Sequence, residues 1–590
     1  MTLTSPVATA PPVVESRRRR PDVVVALVAL GLAVLVTGGL WADPNRGAIT
    51  VNSSDQAFFE WLLTYGAHAV THGENPLFTY LINVPDGVNL AVNTSITVYA
   101  VVFAPLTLLA GPQWSFLVIL TLNLAATAYA WYLLMSRGFR LGPVAAAVGG
   151  LFCGFAPGMV SHANAHLNWT AGWLVPLVVW RVFALRGPDR WLRNGLILGV
   201  LVAMAFSIAA EGLFFTALAC GAFLGVWALS QRDEARAALP AFWRGLAVTA
   251  AVALALLSYP LWLHFFGPQR FHGTGFDPTV HNEDLAAFGA FPDRSLAGAA
   301  GLGTNLAPNP TEENSFFGVP LLILAVACFV LLWRGASVAR RATLRALAIT
   351  AGVFFVLSLG PKLKVFEQHT EIPLPYQLLG GLPVFNAALP ARLALVVIPL
   401  IGLLLAYALD ALPSRRLGVA FAVALLPLVP VPLHTTVYEP IPRFFTSGTW
   451  RQYVTEGGVL APVPPTSDVL PDGQRWQTYA LSHGQGEFAI PAGFFLGPGG
   501  PDGKGRIGPV PRPSAELLFQ VAQTGQVPPI TDADRAAARE DLRYWNAQVV
   551  VLADQVHGAK FAVDQPALLR ATTELLGPPV RVDDVWLWRG

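Results

Sequence analysis

Asp55 stands in Asn52-Ser53-Ser54-Asp55-Gln56, directly before a stretch whose apolar residues Phe58, Leu62, Tyr65 and Ala69 recur at helical spacing. A carboxylate held at a helix start next to hydrocarbon is a candidate general base, because an acid beside the bilayer is costly to place. The competing reading is that Ser54 or Asp55 caps the helix that follows. Glu60 lies further along the same stretch and either shares the site or faces solvent. His162 and His166, in Ser161-His162-Ala163-Asn164-Ala165-His166, are spaced to share a helical face. Two histidines can begin a metal site, but zinc needs a third ligand and no Glu of a His-Glu-x-x-His motif flanks them. They read first as polar lining for a sugar or phosphate, with no metal ligand assigned and a divalent cation left open. Glu211 marks either a water interface or a pocket between two apolar runs. Arg392, in Pro390-Ala391-Arg392-Leu393, is a basic group at an apolar boundary. It anchors a lipid headgroup, or grips a lipid-linked phosphate with its planar fork. Asp86 belongs to a Pro85-Asp86-Gly87 turn signal. Asp277, His281, Glu283, Asp284, Glu312 and Glu313 read as mostly solvated loop charges.

These groups must be positioned by a membrane bundle. The chain has 590 residues, 54% hydrophobic and only 13% charged, with a mean hydropathy of +0.52. A soluble chain carries about 25% charged residues, so a cytosolic enzyme, a disordered protein and a nucleic-acid binder are excluded. Cys153, Cys220 and Cys328 lie in apolar stretches and read as small buried hydrophobes. An apolar run from Pro21 to Trp41 follows Arg17-Arg18-Arg19-Arg20, which reads as an uncleaved first helix with a cytoplasmic amino terminus.

Further apolar runs lie near 94–111, 114–135, 142–158, 169–185, 193–210, 212–230, 244–263, 316–333, 343–360, 391–409 and 416–433. If 94–111 does not span, the arginine clusters at 137–140, 181–193, 232–244, 334–345 and 415–416 all fall in cytoplasmic loops, as the positive-inside rule asks. The expected architecture is an α-helical polytopic membrane protein of about eleven spans. Its parts are a disordered cytoplasmic segment 1–20, a transmembrane domain 21–433 with outer loops 42–113, 264–315 and 361–390, and an extracytoplasmic α/β domain 434–590. Within that tail the pattern predicts helices at 514–524, 531–546 and 566–576, and strands at 548–552 and 580–588, after a Pro- and Gly-rich loop region reaching to about 512.

One inside-to-outside helix, then a long loop bearing an acid and two membrane-surface helices, then an arginine-punctuated bundle and an outer tail, resembles the GT-C superfamily of membrane glycosyltransferases. Ser54-Asp55-Gln56, His72-Gly73-Glu74-Asn75-Pro76, Pro85-Asp86-Gly87-Val88-Asn89 and His162-Ala163-Asn164-Ala165-His166-Leu167-Asn168 look like actinobacterial members. The resemblance implies a polyprenyl-phosphate sugar donor, an extracytoplasmic glycan, lipid or protein acceptor, and Asp55 as catalytic base. The chain departs from many relatives in having His162 and His166 where a second acid stands, and in lacking an Asp-x-Asp pair in the first loop. Direct displacement by the acceptor would invert the anomeric centre. Two rivals are a transporter or lipid flippase, which predicts ionisable residues at the bilayer midplane, and a non-catalytic membrane scaffold.

Overall fold

Where side chains are apolar on all sides, backbone polar groups must pair within the segment, and a helix is the solution. The computed structural model describes residues 14–590 and is mostly helical. Among the described residues, five helices are long and apolar enough to cross a membrane: Pro112–Gly138, Trp191–Ser230, Arg232–Phe266, Val338–Ser358 and Pro390–Ala411. Pro143–Phe155, Leu174–Ala184 and Val319–Arg334 are shorter apolar helices among them. The first helix covers Val14–Val36, so residues 14–20 are helical and not disordered. Arginine is a good helix former, and a helix nucleated in the following apolar run propagates into it. The expected disorder of 1–13 lies outside the described residues.

The helix Trp191–Ser230 doubles back. Ala209 leaves helical geometry at φ −150° and ψ 68°, and Arg186 lies 5.2 Å from the Trp227 ring centroid. A straight helix of that length would hold its ends about 60 Å apart. Its first arm packs closely on Arg232–Phe266, because a Cβ at Gly195 would sit 2.6 Å from the Gly245 carbonyl oxygen. Small residues at such crossings let membrane helices approach. The run 94–111 is broken into Thr97–Val102 and Ala104–Ala110. Each piece is about 10 Å long and too short to cross a bilayer.

The first-loop helix Ser53–His72 is packed within the protein. Trp61 and Leu63 are fully buried, Trp61 Nε1 donates to Gln477 Oε1 at 3.1 Å, and Gly66 lies against Ala100. The helix is covered by the two short helices on one side and by Asp472–Ser482 of the tail on another, so its apolar positions meet protein. The strand Gly47–Ile49 pairs antiparallel with Thr435–Val437, tying the start of the first loop to the start of the tail.

The tail carries a four-stranded sheet, in the order 580–582, 585–589, 547–553, 459–463, with the last pair parallel and the others antiparallel. The expected single strand at 580–588 is a hairpin, turned at Asp583 with φ 49°. The stretch read as loop holds the strand Val459–Val463 and the helix Asp472–Ser482. That strand is buried at all five positions, so it shows no alternation for a period-two reading. Phe58, Trp61 and Leu63 share one core with Phe444, Trp476 and Val551. The break at 433/434 is one of composition, not of packing.

The loop 264–315 is corrected too. Glu283, Asp284, Glu312 and Glu313 are buried rather than solvated, while Asp277 is exposed. Each buried acid has local donors: Asp284 receives the N–H groups of Ala286, Phe366 and Glu367, and Glu313 receives that of Asp293. Ser315 donates its hydroxyl to Glu283 at 2.5 Å. Burial pushes the Glu283 carboxyl up to about 8 and that of Glu313 to about 7.

Candidate active site

Asp55 occupies the first turn of the helix Ser53–His72, with Asn52 at the N-cap position. Neither Asp55 nor Ser54 caps it. The Asn52 side-chain amide donates to Asp55 Oδ2 at 2.6 Å and to the Asn164 carbonyl at 3.0 Å, bridging the first loop to the histidine segment. His162 ends the helix Pro157–His162, and the chain then turns through Ala165 at φ 73°. This turn keeps the two histidine rings together, with Nδ1 to Nδ1 at 2.8 Å.

His166 Nε2 lies 3.1 Å from Asp55 Oδ2. A carboxylate only accepts, so the network assigns the His166 proton to Nε2. His162 Nδ1–H then donates to the bare His166 Nδ1, which leaves His162 Nε2 bare, buried and without a hydrogen-bond partner. Burial holds His162 well below the usual histidine range and so neutral. Asp55 Oδ2 accepts the Asn52 hydrogen bond and lies against His166 Nε2, its side chain is 21% exposed, and Oδ1 receives no hydrogen bond from the described residues.

Glu312 closes the other side. Its Oε1 lies 3.9 Å from His166 Nδ1 and its Oε2 lies 4.0 Å from His162 Nε2. Arg392 forks onto it, Nε and Nη2 donating to Oε1 at 2.9 and 2.6 Å. Arg392 Nη1 donates to Glu211 Oε2 at 2.9 Å, and Glu211 Oε1 accepts the Leu389 N–H. Burial alone would raise the Glu312 carboxyl, but the charge of Arg392 forked onto it holds it well below the usual range. Trp169 stacks on His162 with ring centroids 5.3 Å apart and carries the Arg392 guanidinium 5.2 Å from its ring.

The structure thus brings Asp55, His162, His166, Glu211 and Arg392 into one network, and leaves Glu60 out of it. Glu60 is buried, accepting from Gln56 at 2.8 Å and Gln113 at 3.3 Å, and burial pushes its carboxyl up to about 7. Glu312 joins the network unforeseen. Its signal in the sequence was the one that marked Arg392: a charged group, in Thr311-Glu312-Glu313-Asn314, just before an apolar run. His162, His166 and Glu312 each offer a ligand atom within 4.8 Å of the others. Two nitrogens and an oxygen, one nitrogen an unpartnered buried lone pair, fit a divalent cation such as zinc. Glu211 and Glu312 share the single guanidinium and Asp55 adds a third acid to the network, a charge balance that a cation would relieve.

An apolar cavity of about 320 Å³ opens beside this network. It runs from Trp169 and Phe215 to Phe223, Trp227, Tyr407 and Arg186.

The model of a family described as "Domain of unknown function (DUF6311)" matches residues 26–429. No curated protein gives a match. Among solved structures, the arabinofuranosyltransferase AftD from Mycobacteria is similar at a TM-score of 0.56 and 15% identity, over 97% of this chain and 40% of that one. A variant of the same enzyme is similar at 0.55 and 18% identity, over 97% and 41%. The apo oligosaccharyltransferase of Archaeoglobus fulgidus is similar at 0.49 and 12% identity, over 90% and 69%, a likeness too slight to carry an argument. The chain spans about two fifths of the length of the arabinofuranosyltransferase structures it matches. The chain shares the fold of the arabinofuranosyltransferase over nearly its whole length.

Proposed function

The chain belongs to the DUF6311 family, and we propose that it is an integral membrane glycosyltransferase moving a sugar from a polyprenyl-phosphate donor to an extracytoplasmic acceptor. The observation that carries this reading is the Asp55 carboxylate. One of its oxygens accepts from Asn52 and lies 3.1 Å from His166 Nε2, and the other takes no hydrogen bond from the described residues. That is the arrangement a general base needs: Oδ1 takes the proton of an acceptor hydroxyl as its oxygen attacks the anomeric carbon, while His166 Nε2–H steadies the carboxylate. In-line attack with departure of the phosphate inverts the anomeric centre.

Arg392 is the permanent cation of the site. Three of its five N–H groups are held by Glu312 and Glu211, and the two that remain serve the donor phosphate. His162, His166 and Glu312 would hold a divalent cation, which when bound supplies a Lewis acid for the departing phosphate. The Asp55–His166 pair then orients that ligand set from outside, as carboxylates do behind metal-binding histidines. The apolar cavity beside Trp169 suits part of a prenyl chain. In this reading the bundle has eleven spans, with the Trp191–Ser230 helix counted as two. The amino terminus is cytoplasmic, and 434–590 is an extracytoplasmic domain resting on the first loop. The gathering of ionisable groups into one network beside the first loop favours a transferase over a transporter.

Asp55→Asn tests the assignment. The amide keeps its size and an oxygen for Asn52 but loses basicity. The folded variant is expected to bind a polyprenyl-phosphate sugar normally and to transfer it ~10²–10⁴-fold more slowly. Near-normal turnover by the folded variant removes Asp55 as the base.

A further inference from the structure

A second cluster lies at the far end of the first-loop helix, away from Asp55. His68 is on that helix, Glu74 follows its C-cap Gly73, and Glu487 comes from the tail. Their ligand atoms lie within 4.8 Å of one another. His68 Nε2 is 3.2 Å from Glu487 Oε2 and 3.6 Å from Glu74 Oε1. Yet it is buried and makes no hydrogen bond, so its in-plane axis is aligned with neither oxygen. A tetrahedral zinc with bonds of about 2.0–2.1 Å holds neighbouring ligand atoms roughly 3.3 Å apart. The two nitrogen-to-oxygen separations already bracket that edge.

From this geometry we propose that His68, Glu74 and Glu487 form a zinc site that pins the first-loop helix to the tail. One imidazole nitrogen and two carboxylate oxygens leave the fourth position to water, reachable because the Glu74 side chain is 41% exposed. Zinc matches this borderline donor set better than calcium or magnesium, which ask for six or more oxygens. Two carboxylates balance the charge of the ion. His72, one turn on, stacks on the His68 ring at 4.1 Å. Its Nδ1 is engaged by the His68 carbonyl at 3.0 Å, which leaves its Nε2 bare. The pairing His68-x-x-x-His72-x-Glu74 is visible in the sequence, but its partner stands more than four hundred residues away. Without metal, the same groups are left as a close pairing of His68 with Glu487 and Glu74.

The role is structural, so the test does not rest on transfer activity. The full chain is purified in detergent, stripped with chelator and titrated with zinc, and bound metal is counted by elemental analysis. His68→Asn and Glu487→Gln are each expected to bind one equivalent fewer than wild type. Glu74→Gln, at an exposed position, should weaken that equivalent by at least the ~10–100-fold that losing an outer-shell partner costs. His162→Gln should leave it in place, whatever that variant does to catalysis. Wild-type stoichiometry and affinity in all three cluster variants would mean that the three groups are only an ion pair, and would overturn the site. Loss of the same equivalent in His162→Gln and retention in His68→Asn would assign the zinc to the Asp55 network instead.

Discussion

Glu60→Gln separates the two acids of the first-loop helix. Glu60 is buried between Gln56 and Gln113, and burial, the largest influence on it, lifts its carboxyl from about 4.5 to about 7. Between those values the folded protein keeps a proton that the unfolded chain has released. Stability is therefore fullest below about 4.5 and declines as pH rises toward 7. The wild-type cost at and above neutral pH is about 3 kcal/mol. Glutamine is neutral at every pH, accepts from Gln56 with its oxygen, and meets Gln113 after that amide turns over. The expected result is no stability difference near pH 4.5, a variant advantage that grows to about 3 kcal/mol by pH 7, and a plateau above. Thermal and denaturant unfolding of both proteins in detergent, followed by tryptophan fluorescence across pH 4.5–8, reads it directly. Donor binding and turnover should be unchanged, since Glu60 touches none of the Asp55 network. A constant difference across the pH range would show that Glu60 is ionised in the fold, and a loss of turnover would return it to the substrate site.

Arg392→Met leaves Glu211 and Glu312 without their cation and should lower stability by ~3–5 kcal/mol. Adding Glu312→Gln should recover part of that loss, and thermal unfolding that finds the single variant unaffected refutes the clamp. Arg392→Lys keeps charge but not the fork, so donor affinity should fall in a binding assay; unchanged affinity makes the residue a headgroup anchor. Chelation should slow transfer, and a divalent cation should restore it in wild type but not in a His162→Gln, Glu312→Gln double variant. Full activity in chelator rules out a cation at that cluster. After removal of the native cysteines, Asp277→Cys should react with an impermeant thiol reagent on intact cells and Arg340→Cys should not; labelling at 340 inverts the topology.

Composition and periodicity alone determined that this chain belongs in a membrane, because no arrangement of 13% charged residues covers such a chain in water. They also located most of the apolar helices, whose hydrogen bonds are local and whose apolar runs are read without knowing any partner. Asp55, His162, His166, Glu211 and Arg392 were legible one by one, as ionisable groups set against apolar runs where such groups are expensive. That they meet was not legible. The distance from Asp55 to Arg392 along the chain is over three hundred residues, and only tertiary packing sets the bond that Asn52 makes across to Asn164. Glu312 and Glu60 show the same limit from opposite sides. Both are acids in segments between apolar runs, and what distinguishes them is which partner lies within 3 Å once those segments fold: Arg392 for one, the amide of Gln56 for the other. The buried strand Val459–Val463 and the covered first-loop helix escaped for a related reason. Their neighbours come from distant segments, and burial by a remote segment leaves no period in the local sequence.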